Sequence, residues 1–212
     1  MRTIKKLSFN KNLFAKLILF LVLLFFFLSV SSSAQQNAST TRETLPEEFQ
    51  VPIFLKTLTY DRSLGAKIRD TIQIGVLYFP DDAQSKKNKD AIIENLKLNK
   101  DKTVNGLPFS FMEIEFSAKK SLDDVIKAKK INVLYIAYDH SNVLNDIFQI
   151  TRTKKILTVT GQVDYVKKGV SLGLGLEKGK PQILVNLDSA RAEGSDFNAS
   201  LLKLCKIVVG DK

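Results

Sequence analysis

The sequence predicts an α/β domain with a mostly parallel central sheet, helices on both faces and an antiparallel hairpin at one edge near the C-terminus. Three observations predict it. Apolar, β-branched runs at 71–79, 131–138 and 155–160 read as buried strands. Segments with an apolar stripe and a charged opposite face alternate with them, and a parallel sheet needs such crossovers. Near the end, 170–176 and 182–187 are two strands joined by Glu177-Lys178-Gly179-Lys180-Pro181, a hairpin linker.

The chain opens on a leader. Arg2, Lys5, Lys6, Lys11 and Lys16 precede an uninterrupted apolar run at 17–28, and Ser31-Ser32-Ser33-Ala34 follows. Basic, apolar and small-residue regions in that order describe a secretory signal, with cleavage expected after Ala34. The apolar run is shorter than the roughly 20 residues a spanning helix needs. Residues 35–44 are polar and Ser/Thr-rich and read as a flexible tether. Residues 45–212 read as a single domain.

Within that domain, 45–61 looks helical, with Phe49, Ile53, Phe54 and Leu58 at helical spacing; Pro46 and Pro52 each suit a helix start, which admits two short helices. The run 71–79 is a strand stopped by Pro80, and 83–98 a helix with Ile92, Ile93 and Leu96 inward. Asn105-Gly106 signals a turn. Residues 109–116 form a half-exposed strand with Glu113 and Glu115 outward. Ser121 is expected to cap a helix carrying Asp123 and Asp124 in its first turn. After the strand at 131–138, Ser141 is expected to cap a helix to about 151. Gly161 and Gly169 bracket a short helical segment. Asp188 is expected to cap another, Gly194 to end it, and 198–208 to close as a helix burying Cys205.

Charge and composition exclude several classes. The chain has 32 basic and 22 acidic residues, and removing the five basic residues of the leader leaves a net charge of +5. No Arg-rich stripe with interleaved aromatics remains, so nucleic acid is not an expected partner. One histidine and one cysteine do not make a protein-only zinc site, and a lone Cys205 forms no internal disulfide. Gly173-Leu174-Gly175 lacks the third glycine of a dinucleotide fingerprint and lies within a strand. No cofactor is implied.

Four polar constellations remain as binding candidates. Tyr60-Asp61-Arg62 combines an aromatic platform, a carboxylate and a guanidinium at a helix end. Asp139 and His140 follow a strand at the edge where open α/β sheets bind ligands. Sequence neighbours seldom present a nucleophile and base to one another, so a surface histidine beside a helix start is the favoured reading there. Thr160-Gly161 would let a ligand approach backbone N–H groups. Asn186 and Arg191 flank Asp188, whose capping role already explains much of that group.

From Pro52 onward the chain resembles the YfiR-like periplasmic proteins. The resemblance is carried by Phe54-Leu55-Lys56 with Tyr60-Asp61-Arg62, by Ile74-Gly75-Val76-Leu77, Val104-Asn105-Gly106 and Val133-Leu134-Tyr135-Ile136, by Ile156-Leu157-Thr158-Val159-Thr160, and by the tail from Val185 to Arg191 with 200–208. It implies a periplasmic, non-enzymatic α/β domain. It also implies regulation by contact with a membrane-anchored signalling protein, such as a diguanylate cyclase or kinase, and the capacity to form a homodimer. The paired cysteines of the YfiR branch are absent, so redox control by internal disulfides does not carry over. A solute-binding accessory of an uptake system, taking a small-molecule ligand, is the competing expectation.

Overall fold

A computed structural model describes residues 44–137 and 141–210, all within one compact unit, Arg42–Lys212. The leader, most of the tether, Asp139 and His140 lie outside the described residues.

The described residues form a seven-stranded sheet in the order β2-β1-β3-β4-β5-β6-β7. The strands are β1 (Ile72–Tyr78), β2 (Phe109–Glu115), β3 (Val133–Ile136), β4 (Leu157–Thr160), β5 (Leu172–Glu177), β6 (Lys180–Val185) and β7 (Lys206–Ile207). Strands β1 to β5 pair in parallel, β5 and β6 pair antiparallel, and β7 adds parallel to β6. The helices are α1 (Glu47–Leu58), α2 (Leu64–Lys67), α3 (Ala83–Leu98), α4 (Lys119–Lys129), α5 (Leu144–Lys154), α6 (Val163–Lys167), α7 (Leu187–Ala192) and α8 (Ala199–Leu202).

Alternation along each strand assigns its side chains to two cores. Ile72, Ile74 and Val76, with Val133, Tyr135, Leu157, Val159, Leu172 and Leu174, face α1, α3 and the short helices α2, α7 and α8. Leu77, Leu134 and Ile136 face α4 and α5 through Leu122, Ile126, Ile147 and Phe148. Gly173 belongs to the second face, and a Cβ there would stand 2.3 Å from Val166 of α6. The missing side chain is what lets α6 lie close over β5.

The expected architecture and most elements are present, and the differences have local causes. Residues 45–61 hold one helix, α1, in which Pro52 lies without breaking it. Phe54 and Leu58 are buried and Ile53 packs on the core as the spacing suggests, joined inside by Gln50, Val51 and Leu55, while Phe49 is 53% exposed. Strand β2 lies at the sheet edge with both faces partly covered, so Phe109 and Phe111 serve one core while Ile114 and Phe116 serve the other.

Three expected caps move. Helix α4 starts two residues before Ser121, with Ala118 at its N-cap. Ser141 opens a 3-10 turn, Ser141–Val143, and α5 begins at Leu144. Asn186, not Asp188, caps α7, its side chain accepting from Ser189 N at 3.1 Å. The last expected helix stops at Leu202, because Lys206 and Ile207 leave helical geometry to extend the sheet beside Leu184 and Val185. Cys205 therefore sits half-buried between helix and strand, and burial pushes its thiol pKa up.

The structure also buries a carboxylate the sequence did not single out. Glu193, fully buried at the end of α7, accepts from Thr151 Oγ1 (2.9 Å), from Thr158 N (2.8 Å) and Oγ1 (3.0 Å), and from Ser171 Oγ (2.5 Å). Burial outweighs these hydrogen bonds and pushes its pKa from 4.5 up to about 7. The folded protein thus keeps a proton that the unfolded chain releases between those values. The stability contributed by Glu193 is full below pH 4.5 and is lost as pH rises to about 7. The swing is on the order of 3 kcal/mol. Urea titrations of wild type at pH 5 and pH 7.5 are expected to show this fall, and the Glu193→Gln variant to show it strongly reduced.

Candidate functional site

The Tyr60-Asp61-Arg62 segment ends α1 and forms a clasp with the chain before α8. Arg62 N donates to Asp196 O (2.9 Å), and Asn198 N donates to Tyr60 O (3.0 Å). Asp61 is buried, and its Oδ1 accepts from Ser63 N (2.9 Å), Ser63 Oγ (2.7 Å) and Asp196 N (2.9 Å). Arg62 pairs with Asp196 at 2.8 Å, with both side chains more than half exposed. That pairing raises the Arg62 pKa and lowers that of Asp196. Tyr60 packs partly on the core, with Lys56 Nζ 5.6 Å from its ring centroid.

Beside the clasp lies an open groove of about 610 Å³. Tyr60, Arg62 and Arg69 line it with Asn105, which donates to Thr59 O at 3.1 Å. Leu64 and Ile68 supply an apolar floor. The sequence pointed to Tyr60, Asp61 and Arg62. It did not point to Arg69, and it marked Asn105 only as a turn residue. Two guanidiniums and an aromatic ring suit a polar or acidic group on a small molecule or a partner.

Thr160 and Gly161 do not offer an open backbone. Thr160 Oγ1 donates to Ile136 O and accepts from Gln162 N, both at 3.0 Å. The space over Gly161 is filled by the side chain of Gln50, whose Oε1 lies 2.5 Å from where a Cβ would stand. Gln50 is itself held by Tyr135 OH, which donates to Oε1 at 2.6 Å, and by Leu45 O. A glycine expected to admit a ligand instead admits a side chain of the same protein. Asn186 is likewise occupied: besides capping α7, its Nδ2 donates to Val166 O at 3.0 Å. Arg191 is exposed and adds its charge near Asp196. The structure thus brings Tyr60, Asp61 and Arg62 together, keeps Thr160 and Gly161 under Gln50, and places Asn186 and Arg191 on α7.

Two outcomes follow. Asp61→Ala is expected to lower stability by about 2–4 kcal/mol, since it orphans buried donors, whereas Arg62→Ala breaks an exposed pair and leaves the denaturation midpoint near wild type. Chemical denaturation of both variants checks this. Gly161→Ala is expected to destabilise by crowding Gln50, with the loss reduced in the Gly161→Ala/Gln50→Ala double variant. A double-mutant cycle reads that coupling.

Three solved structures share the fold. One is the ligand-free, open CD0873, a substrate binding protein with adhesive properties from Clostridium difficile, at 20% identity and a TM-score of 0.52, over 66% of this chain and 55% of that one. Another is the ABC domain in complex with L-Trp from Streptococcus pneumonia, at 13% identity and 0.54, over 77% and 60%. The third is a conserved domain protein from Vibrio cholerae, at 16% and 0.53, over 78% and 61%. The chain therefore spans roughly three fifths of the length of the structures it matches. No curated protein matches the sequence. The YfiR/HmsC-like family profile matches residues 75–206, a span from within β1 to the start of β7. The chain belongs to the YfiR/HmsC-like family.

Proposed function

We propose that this protein is a non-enzymatic regulator or sensor of the periplasm that acts by contacting the external part of a membrane-anchored signalling protein, such as a diguanylate cyclase or kinase. Family membership and the export leader support the location. The observation that carries the contact is an apolar groove of about 360 Å³ between α1, β6 and α8. Ile53, Tyr60, Pro181, Ile183, Leu201 and Leu204 line it, and Leu204 is 67% exposed. An apolar strip rimmed by a polar side chain such as Lys56 is the kind of surface a protein partner covers. Among the described residues no helix is long and apolar enough to cross a membrane.

The test is a photo-crosslinking residue at position 204, expressed in the native envelope. An integral membrane signalling protein is expected in the adduct, and Leu204→Asp is expected to remove the regulatory effect without unfolding the domain. Recovery of no membrane protein from that position would sink the reading.

A second reading, a solute-binding accessory of an uptake system, is favoured by one specific observation: the Tyr60–Arg62–Arg69 groove on a fold shared with substrate binding proteins. It predicts a metabolite that raises stability by about 2.7 kcal/mol at 100 times its dissociation constant. A thermal-shift screen of metabolite pools checks it, and a flat result would exclude this reading.

A further inference from the structure

On the other side of Asp61 from the clasp groove is a second, smaller cavity of about 250 Å³, at the amino-terminal ends of β3 and β4. Ser195, only 4% exposed, lines it. Its Oγ is the one buried side-chain nitrogen or oxygen among the described residues with no hydrogen-bond partner. Lys67 and Lys155 also line it. Each ammonium carries three donors and spends one on the carboxyl end of α7: Lys155 Nζ on Ala192 O at 2.9 Å, Lys67 Nζ on Glu193 O at 3.4 Å. Gly194, at φ +76°, keeps this end open, for a Cβ there would lie 3.0 Å from Lys67 Nζ.

Capping of α7 explains one bond per lysine. It does not explain the buried hydroxyl or the size of the cavity, which exceeds the roughly 30 Å³ share of a single water. Among the residues lining the cavity basic side chains outnumber acidic ones three to one, with Glu193 close to Lys67 outside that lining. Lys154 is paired with Asp123 at 3.0 Å, and Asp61 is the cavity's one acidic lining residue, its Oδ1 already accepting three hydrogen bonds. Burial lowers the Lys67 pKa, while the nearby carboxyls of Asp61 and Glu193 and the charge of Lys155 modulate it more weakly. What the cavity lacks is an acceptor-only group to receive the remaining ammonium protons and the Ser195 hydroxyl.

We infer that this cavity is a binding site for a small oxyanion, a phosphate or a carboxylate, held by Lys67, Lys155 and Ser195. It stands independently of the regulatory reading. It shares Asp61, Leu64 and Ile68 with the clasp groove as a common wall, so an anion here would stiffen the base of that groove.

The exported protein is titrated calorimetrically with inorganic phosphate and, separately, with succinate, at matched ionic strength. Saturable binding is expected for at least one. Lys67→Gln and Ser195→Ala are each expected to weaken it by roughly tenfold, the loss of one charge-assisted hydrogen bond. Ser195→Ala removes a hydroxyl without a partner, so it should fold, and near-ultraviolet circular dichroism confirms that for both variants. Binding of phosphate alone assigns phosphate chemistry, of succinate alone carboxylate chemistry, and of both a general oxyanion site. The inference is overturned if neither anion binds saturably. It is equally overturned if the variants bind as tightly as wild type, which would leave Ser195 Oγ to water alone.

Discussion

A single buried carboxylate decides how the last third of this domain joins the first two. Glu193 leaves the end of α7 and reaches hydroxyls on α5, β4 and the residue before β5, together with the N–H of Thr158. Removing a carboxyl from water is costly unless its acceptors are filled. The three hydroxyls also let the group bind as a neutral acid, since a hydroxyl accepts as readily as it donates. The arrangement therefore fixes the register of α7 against the sheet. Once α7 is placed, Gly194 turns the chain, and Asp196 and Phe197 meet Arg62 and Asp61. The clasp at the end of α1 depends on that chain of placements.

The two ends of the sheet consequently differ. Open α/β sheets usually bind ligands beyond the carboxyl ends of their strands, where the strand order reverses. Here the order reverses between β1 and β3, and the neighbouring β4 end is covered by Gln50 from α1. The amide of Gln50 fills the place over Gly161 that a ligand would need, and Tyr135 and Leu45 hold it there. The two cavities flanking Asp61 lie at the opposite, amino-terminal end of the strands. They are bounded by lysines and arginines, while the groove by Leu204 is apolar. One small domain thus carries surfaces of different chemistry at different places on its fold.

How much of this was legible in the sequence varies with the range of the interaction involved. Strands β1, β3 and β4 were readable because a strand buried on both faces is dominated by apolar and β-branched residues, and helix α3 because Ile92, Ile93 and Leu96 form an apolar stripe opposite a charged face. The caps of α4, α5 and α7 were misplaced because a Ser or Asp near a helix start looks alike whether it caps or merely lies in the first turns. The final helix was cut short by pairing with β6, a partner some twenty residues away that no local pattern reveals. Of the site, Tyr60, Asp61 and Arg62 stood out as an unusual polar group at a helix end. Arg69, Lys67, Lys155 and Ser195 did not, because a lone lysine or serine in a sequence carries no sign of what it faces.

The sequence by itself determined the fold class, the alternation that sorts side chains into two cores, and the family, since these rest on periodicity and on motifs spread along the chain. Only the tertiary structure decided which polar residues are buried and with whom. Glu193 meets Thr158 and Ser171, Gln50 covers Gly161, and Asp61 is locked to Asp196, all across long stretches of chain. The physical reason is that hydrophobic burial is non-directional and shows in composition and spacing, whereas a hydrogen bond is directional and exists only once its two ends are brought within about 3 Å.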